Sequence, residues 1–213
     1  MALKKRNFFV DFDGTITEQD VVFTMVKTFC REGWQEINDQ WERGEISTEQ
    51  CAQGTFNLMT AGREDILKLA SDIKIDPFFN EFLLLCQARQ EKVVILSDGY
   101  DLIIEHILNK AGIKLPFYSN KLVIENKKFS IACTYHNKEC GRCGTCKTNL
   151  LNQLKEKDSQ VIFIGDGYSD TCVAKEADVV LAKEPLFSYC QKHNVKVLPI
   201  ANFSDILKLL PSM

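Results

Sequence analysis

The sequence predicts an α/β protein: a parallel sheet with helices on both faces and a helical-bundle cap inserted after the first strand. Short apolar runs that end in small or acidic residues alternate with segments of helical periodicity, as they do in parallel sheets. About seventy residues after the first run contain no strand pattern, which indicates the insertion. A chain of 213 residues is long enough for one domain that carries such an insertion.

Five apolar runs predict the strands, and segments of helical spacing separate them. The strand runs are residues 8–11, 93–97, 161–166 and, more weakly, 179–182 and 195–198. The helical segments after the second strand are residues 100–111, 147–157, 169–177, 184–193 and 203–210. Two alternating runs within 122–132 flank a polar turn at 126–128 and predict a β-hairpin.

The helical insertion has its own start signals. Ser47 to Gln50 predicts a capping box, and Asp76 before Pro77 predicts an N-cap followed by a first-turn proline. We therefore expect an inserted helical cap at 19–90 and a core formed by 1–18 and 91–213. The hairpin and a cysteine-rich segment form a second insertion at about 117–146.

Composition excludes several classes of function. The chain has 26 Lys and Arg against 29 Asp and Glu, so its net charge of -3 gives no footprint for nucleic acid or anionic membrane. The basic start at 1–6 is too short for a signal peptide, and no apolar stretch approaches 18 residues. Nine cysteines, an odd number scattered through apolar patterns, indicate reduced thiols and a cytoplasmic location.

Polar, glycine-containing turns follow three of the predicted strands. They are residues 11–15, 97–99 and 166–170. Because ligands of open parallel sheets bind beyond the carboxyl ends of the strands, we expect these turns to converge on one site. Carboxylates crowded there repel one another unless a cation binds, and hard oxygen ligands favour Mg²⁺.

The spacing of these residues resembles the four-motif signature of haloacid dehalogenase superfamily phosphatases. The motifs are Asp11-x-Asp13-Gly14-Thr15, Ser97 at a strand end, Lys147, and Gly165-Asp166-Gly167-x-x-Asp170. The resemblance covers nearly the whole chain and implies a Rossmann-like core. The insertion resembles the cap of the phosphoserine-phosphatase-like branch. Within that branch, the cysteine-rich segment and residues 11–17 are most similar to methionine-salvage phosphatases.

The resemblance implies a role for each motif residue. Asp11 is the expected nucleophile, which forms an aspartyl-phosphate, and Asp13 is the expected acid and base. Lys147 and Asp170 complete the catalytic set. Mg²⁺ is expected at Asp11, Asp166 and the backbone carbonyl of Asp13. The residues expected to bind phosphate or substrate are Gly14, Thr15, Ser97, Asp98, Gly99 and, from the cap, Asp20.

Some cap residues have two interpretations from sequence. Asp20 occupies a position where the family carries a substrate-contacting acid, but it equally suits the N-cap of a helix that begins at Val21. Phe23, Met25 and Phe29 fit either an apolar substrate pocket or plain helix core.

Four cysteines cluster ahead of Lys147. Cys140, Cys143 and Cys146 have spacings that suit metal chelation, and Cys133 or His136 could complete a structural zinc site. The alternative is a loop of reduced thiols.

The leading hypothesis is thus an Mg²⁺-dependent phosphomonoesterase that acts on a small phosphorylated metabolite. The alternatives are a phosphoserine or phosphoalcohol phosphatase, a phosphomutase of the same superfamily, and a zinc-bearing interaction module with a non-catalytic core. The sequence gives no indication of oligomeric state.

Overall fold

The computed structural model describes residues 5–125 and 128–212. Within them, seven strands form one sheet in the order β4-β3-β2-β1-β5-β6-β7. The strands are β1 Arg6–Val10, β2 Lys92–Tyr100, β3 Phe117–Glu125, β4 Lys128–Ala132, β5 Gln160–Gly165, β6 Val179–Ala182 and β7 Val197–Pro199. Every pair is parallel except β3 with β4, so the predicted parallel sheet is confirmed.

The strand order puts the first strand in the middle of the sheet. β1 pairs with β2 on one side, through Asn7 to Lys92, and with β5 on the other, through Arg6 to Gln160. All five residues of β1 are buried, as expected for a strand covered on both faces. Side chains alternate across it: Phe8 enters one core, and Phe9 enters the other.

Helices occupy the connections between the strands. They are α1 Val21–Phe29, α2 Trp34–Glu42, α3 Thr48–Phe56, α4 Arg63–Asp72, α5 Phe79–Ala88, α6 Asp101–Lys110, α7 Lys147–Leu154, α8 Leu186–Lys192 and α9 Phe203–Leu209. Side chains of α5, α6 and α9 share the core of Phe8, and those of α7 and α8 share that of Phe9. In the part of the chain described here, each helix is too short or too polar to span a bilayer.

The inserted helices α1 to α5 lie between β1 and β2, where the strand signal is missing. The predicted capping box forms at Ser47 and Gln50, with both reciprocal hydrogen bonds. The last inserted helix covers the sheet, because Phe82 of α5 packs edge-on against Phe8 at 5.1 Å. The expected cap range of 19–90 therefore includes one helix that packs as part of the core.

The structure differs from the sequence-based expectations at two helix positions. Residues 169–177 do not form the predicted helix but two 3₁₀ turns, Tyr168–Asp170 and Val173–Glu176, because the buried Asp170 carboxylate accepts nearby backbone N–H groups. Asp76 does not cap the next helix directly. That helix begins at Phe79, and the Asp76 carboxylate accepts from the backbone N–H groups of Phe78 and Phe203.

The predicted β-hairpin is confirmed in its strands, whose antiparallel register runs from Lys121 opposite Ala132 to Glu125 opposite Lys128. Two of the predicted turn residues, 126–127, lie outside the described residues. Phe129 of β4 packs against Phe56 of α3, with ring centroids 5.5 Å apart. The hairpin therefore joins the sheet edge to the inserted helices.

Candidate active site

The three polar turns meet at the carboxyl edge of the sheet, because β2, β1 and β5 are adjacent strands. Asp11 follows β1 directly, and its backbone N–H donates to Ile164 O at 2.8 Å, which extends the ladder to β5. Ser97 and Gly99 lie near the end of β2, and Asp166 follows β5. Side chains far apart in sequence thus face one another.

The turn after β1 is tightly wound around Gly14. Residues Phe12–Ile16 form a single wide turn, which the N–H of Thr17 closes on Phe12 O at 3.1 Å. Gly14 has a φ of +76°, and a Cβ there would lie 2.6 Å from Asp166 Oδ2. Glycine is therefore required, both for the left-handed backbone and for the close approach of Asp166.

Lys147 bridges two buried carboxylates at the centre of the site. Its Nζ donates to Asp11 Oδ1 and to Asp170 Oδ1, each at 2.6 Å, and to Ser169 Oγ at 3.2 Å. Lys147 is 3% exposed and Asp170 is 0% exposed. Burial alone would lower the pKa of Lys147, but the charges of Asp11 and Asp170 raise it above its usual value, so the side chain is a cation.

Asp13 lies on the opposite side of the same turn, against the end of β2. Ser97 Oγ donates to Asp13 Oδ2 at 3.1 Å and accepts from the backbone N–H of Gly99 at 2.9 Å. A Cβ at Gly99 would collide with Asp13 Oδ2. Removal from bulk water and the charge of Asp20 raise the pKa of Asp13 to about 7. A carboxyl of that pKa can both donate and accept a proton near neutral pH.

Three carboxylates are arranged as a cation site would require. One oxygen each from Asp11, Asp166 and Asp170 lies within 4.8 Å of the other two. Burial and then the charge of Asp170 raise the pKa of Asp11 well above its usual value and that of Asp166 to about 6. Part of the rise at Asp11 and at Asp166 comes from the charges of neighbouring carboxylates, and a set of hard oxygen donors fits Mg²⁺. The Asp13 carboxylate is not part of this group; its expected contribution is a backbone carbonyl.

Hydroxyl and ammonium groups hold the first turn in place. Thr15 Oγ1, expected to contact phosphate, donates instead to Asp166 Oδ1 at 2.9 Å and fixes that carboxylate. Lys183, at the end of β6, donates to Gly14 O at 2.8 Å and Thr15 O at 3.3 Å. Sequence reasoning missed Lys183, because a single lysine after a strand carries no motif.

A cavity of about 300 Å³ opens from this cluster toward the inserted helices. Its apolar and aromatic lining comes mostly from the inserted helices, with one residue from β2: Val22, Phe23, Val26, Trp34, Trp41, Ala52 and Tyr100. Among the described residues that line it, none is a lysine, arginine or histidine, whereas Asp20 and Glu42 are acidic. Sequence reasoning missed the two tryptophans, which with Ile37 form a narrow apolar stripe on an otherwise polar helix and belong to no motif.

Asp20 is the N-cap of α1, and its contact with substrate stays a prediction. Its carboxylate caps α1 by accepting from Phe23 N at 2.8 Å, and the residue lines the cavity. Phe23 also lines the cavity, is 46% exposed and packs edge-on against Trp34 at 5.6 Å. Met25 is buried in the core and Phe29 packs against it, so of the three apolar candidates only Phe23 faces the cavity.

The contacts of Asp98 differ from those expected of a phosphate or substrate ligand. Its carboxylate accepts from Thr48 Oγ1 at 2.8 Å, from the backbone N–H of Thr145 at 2.8 Å and from Asn120 Nδ2 at 2.9 Å. These donors come from α3, β3 and the loop before α7. The side chain is therefore engaged by protein groups of three separate elements.

The cysteine-rich segment gives no support for a zinc site. Among the described residues, no three of Cys133, Cys140, Cys143 and Cys146 bring their sulfur atoms within 4.8 Å of one another. Burial raises the pKa of Cys133 to about 11 and that of Cys143 to about 12, so both side chains are neutral thiols in this structure. His136 is exposed, and its Nδ1 pairs with Cys133 O at 2.7 Å. The thiols are free.

Comparisons with known proteins agree with this geometry. Residues 8–196 match the model of a family described as Putative Phosphatase. The chain is 30% identical to a 2-hydroxy-3-keto-5-methylthiopentenyl-1-phosphate phosphatase of Lysinibacillus sphaericus, over 96% of this chain and 93% of the relative. A protein of the same name from Brevibacillus brevis is also 30% identical, with 97% and 96% covered.

Solved structures share the fold. A phospho-aspartyl intermediate analogue of phosphoserine phosphatase superposes with a TM-score of 0.70 at 20% identity, covering 97% of this chain and 99% of the other. A phosphoserine phosphohydrolase-like protein from Francisella tularensis superposes with a TM-score of 0.72 at 15% identity, with 96% and 99% covered.

Proposed function

This chain belongs to the Putative Phosphatase family, and on that premise we propose that it is an Mg²⁺-dependent phosphomonoesterase that works through an aspartyl-phosphate. We further propose that its substrate is a small phosphorylated metabolite with a neutral, largely apolar tail. The 2-hydroxy-3-keto-5-methylthiopentenyl-1-phosphate named for its relatives is the leading candidate.

The single observation that carries this proposal is the pairing of two differently placed aspartates at the end of β1. Asp11 is held by Lys147 at 2.6 Å, whereas Asp13 faces Ser97 at 3.1 Å. The carboxylate of Asp11 thus lies against a cation, and that of Asp13, whose pKa is raised to about 7, lies against a hydroxyl. The charge of Lys147 beside Asp11 suits a nucleophile, and a pKa near neutral suits Asp13 as the group that donates and accepts the proton.

The residues divide the reaction between them. Asp11 attacks phosphorus, and Asp13 donates its proton to the leaving oxygen. Asp13 then accepts a proton from the water that hydrolyses the aspartyl-phosphate, which frees phosphate and regenerates Asp11. Lys147 supplies positive charge beside the transferring group, and Ser97 with the Gly99 N–H orients Asp13.

Asp11, Asp166 and the backbone carbonyl of Asp13 would hold Mg²⁺, with Asp170 fixing Lys147 beside them. When bound, Mg²⁺ supplies charge that stabilises the phosphate oxygens and relieves the repulsion among the carboxylates. Zinc has no place in this proposal.

The cavity supports an uncharged substrate tail. A phosphoserine substrate would bring a carboxylate and an ammonium next to its phosphate, and a buried carboxylate needs a cationic partner. No lysine, arginine or histidine is among the described lining residues, while aromatic side chains such as Trp34 and Trp41 offer apolar contact. Phosphoserine, the main alternative, is therefore the weaker candidate.

We propose that the inserted helices α1 to α3 act as the cap that selects the substrate. They contribute most of the apolar lining, and the core strands contribute the reacting groups. A cytoplasmic location stays a prediction from cysteine usage.

The proposal is tested by measuring phosphate release from p-nitrophenyl phosphate with Mg²⁺ and with a chelator, and then from a metabolite panel. We expect turnover only with Mg²⁺ and the highest kcat/KM on the methylthiopentenyl phosphate, well above phosphoserine. Asp11→Asn should be inactive, and the exposed Asp72→Asn should match the wild type. Equal rates for Asp11→Asn and the wild type would refute the proposal. Transfer of the phosphoryl group to a second hydroxyl of the same substrate would indicate a mutase.

A further inference from the structure

A hydrogen-bond network centred on Asp98 links the inserted helices to the loop that carries Lys147. Asp98 follows Ser97 in the chain and lines the cavity. It is neither a metal ligand nor a contact of the Asp11 carboxylate in the arrangement above. The three groups that donate to its carboxylate are the Thr48 hydroxyl from the cap, the Asn120 amide from β3 and the backbone N–H of Thr145 from the cysteine-rich loop.

The first arm of the network fixes the loop before α7. Asp98 Oδ1 accepts from the backbone N–H of Thr145 at 2.8 Å, two residues before Lys147. Asn120 closes this arm: its Nδ2 donates to Asp98 O at 2.7 Å and to Oδ1 at 2.9 Å, and its Oδ1 accepts from Thr145 Oγ1 at 3.2 Å. Asn120 and Thr145 are buried, so this arm is shielded from water.

The second arm reaches the cap. Asp98 Oδ2 accepts from Thr48 Oγ1 at 2.8 Å, and that hydroxyl in turn accepts from Trp41 Nε1 at 3.1 Å. The backbone of Thr48 also donates to Arg142 O at 2.8 Å, within the cysteine-rich loop. Trp41, Thr48 and Asp98 all line the cavity. A substrate tail that packs on Trp41 therefore contacts the cap end of the network.

We propose that Asp98 is a positioning residue that couples the seating of an apolar substrate tail on the cap to the placement of Lys147. This inference rests on the proposed function and adds a specificity device to it. A carboxylate can accept from all of these donors at once, and hydrogen bonds to a charged acceptor are the stronger ones. A displacement of about 1 Å at a catalytic group can cost about a hundredfold in rate, so a small shift of Thr145 suffices.

The coupling is tested by comparing kcat for n-pentyl phosphate and methyl phosphate at saturating Mg²⁺. The two esters have similar leaving groups and differ in the tail that reaches the cap. Their ratio within one protein does not depend on the fraction of folded enzyme, so it separates positioning from a loss of stability. The variants are Thr48→Val, which removes the cap arm, Thr48→Ser, which keeps its hydroxyl, and Asp98→Asn, which weakens both arms.

We expect Thr48→Val to lower the pentyl-to-methyl ratio of kcat by about tenfold and Thr48→Ser to restore it. Asp98→Asn should lower kcat on both esters and remove the preference for pentyl phosphate over methyl phosphate. Adding Thr48→Val to Asp98→Asn should lower the ratio no further, because Thr48 acts through Asp98.

If the wild type is active and Thr48→Val has the same pentyl-to-methyl ratio of kcat, the coupling is overturned and the proposed function is not. The coupling is also overturned if Thr48→Val and Asp98→Asn each lower the ratio and their effects add in the double variant. A wild type that releases no phosphate from any monoester overturns the proposed function, and the coupling with it.

Discussion

Replacing Lys147 by methionine tests the ion pairs at the centre of the site. Methionine keeps most of the apolar stem but removes the ammonium that lies 2.6 Å from both Asp11 and Asp170. Breaking a buried pair by removing one partner costs about 3–5 kcal/mol, because the remaining charges stay buried. At about 2–4 °C per kcal/mol for a chain of this size, we expect Tm to fall by about 6–20 °C.

The loss should grow with pH. Lys147 lowers the pKa values of Asp166 and Asp13, which burial raises to about 6 and about 7. Without Lys147 both pKa values rise further, so the folded variant binds protons that the folded wild type has already released. Stability falls with rising pH wherever the folded state binds the extra proton. We therefore expect a larger difference in unfolding free energy at pH 8 than at pH 5.

The assay is urea unfolding followed by circular dichroism, in chelator, at both pH values. Lys208→Met is the matched control, because its ion pair with Asp205 at 3.0 Å is on the surface and its side chain is 72% exposed. Such a pair contributes little, so this variant should stay close to the wild type. A Lys147→Met protein within about 1 kcal/mol of the wild type at pH 8 would refute the reasoning.

Three further predictions concern the carboxylates and the glycine between them. Asp11→Asn should abolish turnover but raise Tm in chelator, since it removes one of several repelling charges; appreciable turnover by a variant free of deamidation would contradict the nucleophile assignment. In the wild type, the rate on alkyl phosphates should fall as pH rises above about 7, because Asp13 must be protonated to act as the acid. The Asp13→Asn variant should lose most of its activity and with it this pH dependence. Its affinity for Mg²⁺, measured by calorimetry, should be the same as that of the wild type. Gly99→Ala should lower kcat by at least about tenfold with the fold intact, because its Cβ collides with Asp13, whereas Gly62→Ala, whose Cβ would meet only Asp65 at 3.7 Å, should be near wild type in the same assay.

The sequence predicted those parts of the fold that depend on local patterns. Continuous apolar runs such as Val161 to Ile164 identify buried strands, because few other elements are apolar on both faces over so short a stretch. Asp11, Ser97 and Asp166 could be expected to meet because each lies at or just after the carboxyl end of an apolar run in one parallel sheet. The helix predicted at residues 169–177 is absent because the Asp170 carboxylate accepts hydrogen bonds from backbone N–H groups of the site, and these contacts outweigh the helical spacing of the sequence.

The Asp98 network could not be predicted from sequence. Its partners Thr48, Asn120 and Thr145 lie 50, 22 and 47 positions away, on elements whose register the sequence does not specify. An aspartate beside Ser97 looks like one more polar group at a strand end. Lys183 escaped notice for the same reason: its acceptors, Gly14 O and Thr15 O, are backbone atoms without a residue preference.

The central place of β1 has a consequence for synthesis on the ribosome. β1 is made first, yet one of its partners, β5, begins at Gln160, about 150 residues later. At a translation rate of about 5–20 residues per second, one edge of β1 stays unpaired for about 8–30 s before β5 has been synthesised. An unpaired apolar strand invites pairing with other chains, so nascent protein should be most prone to aggregation during this interval. Pausing of translation before β5 should therefore reduce the yield of folded enzyme more than pausing after it.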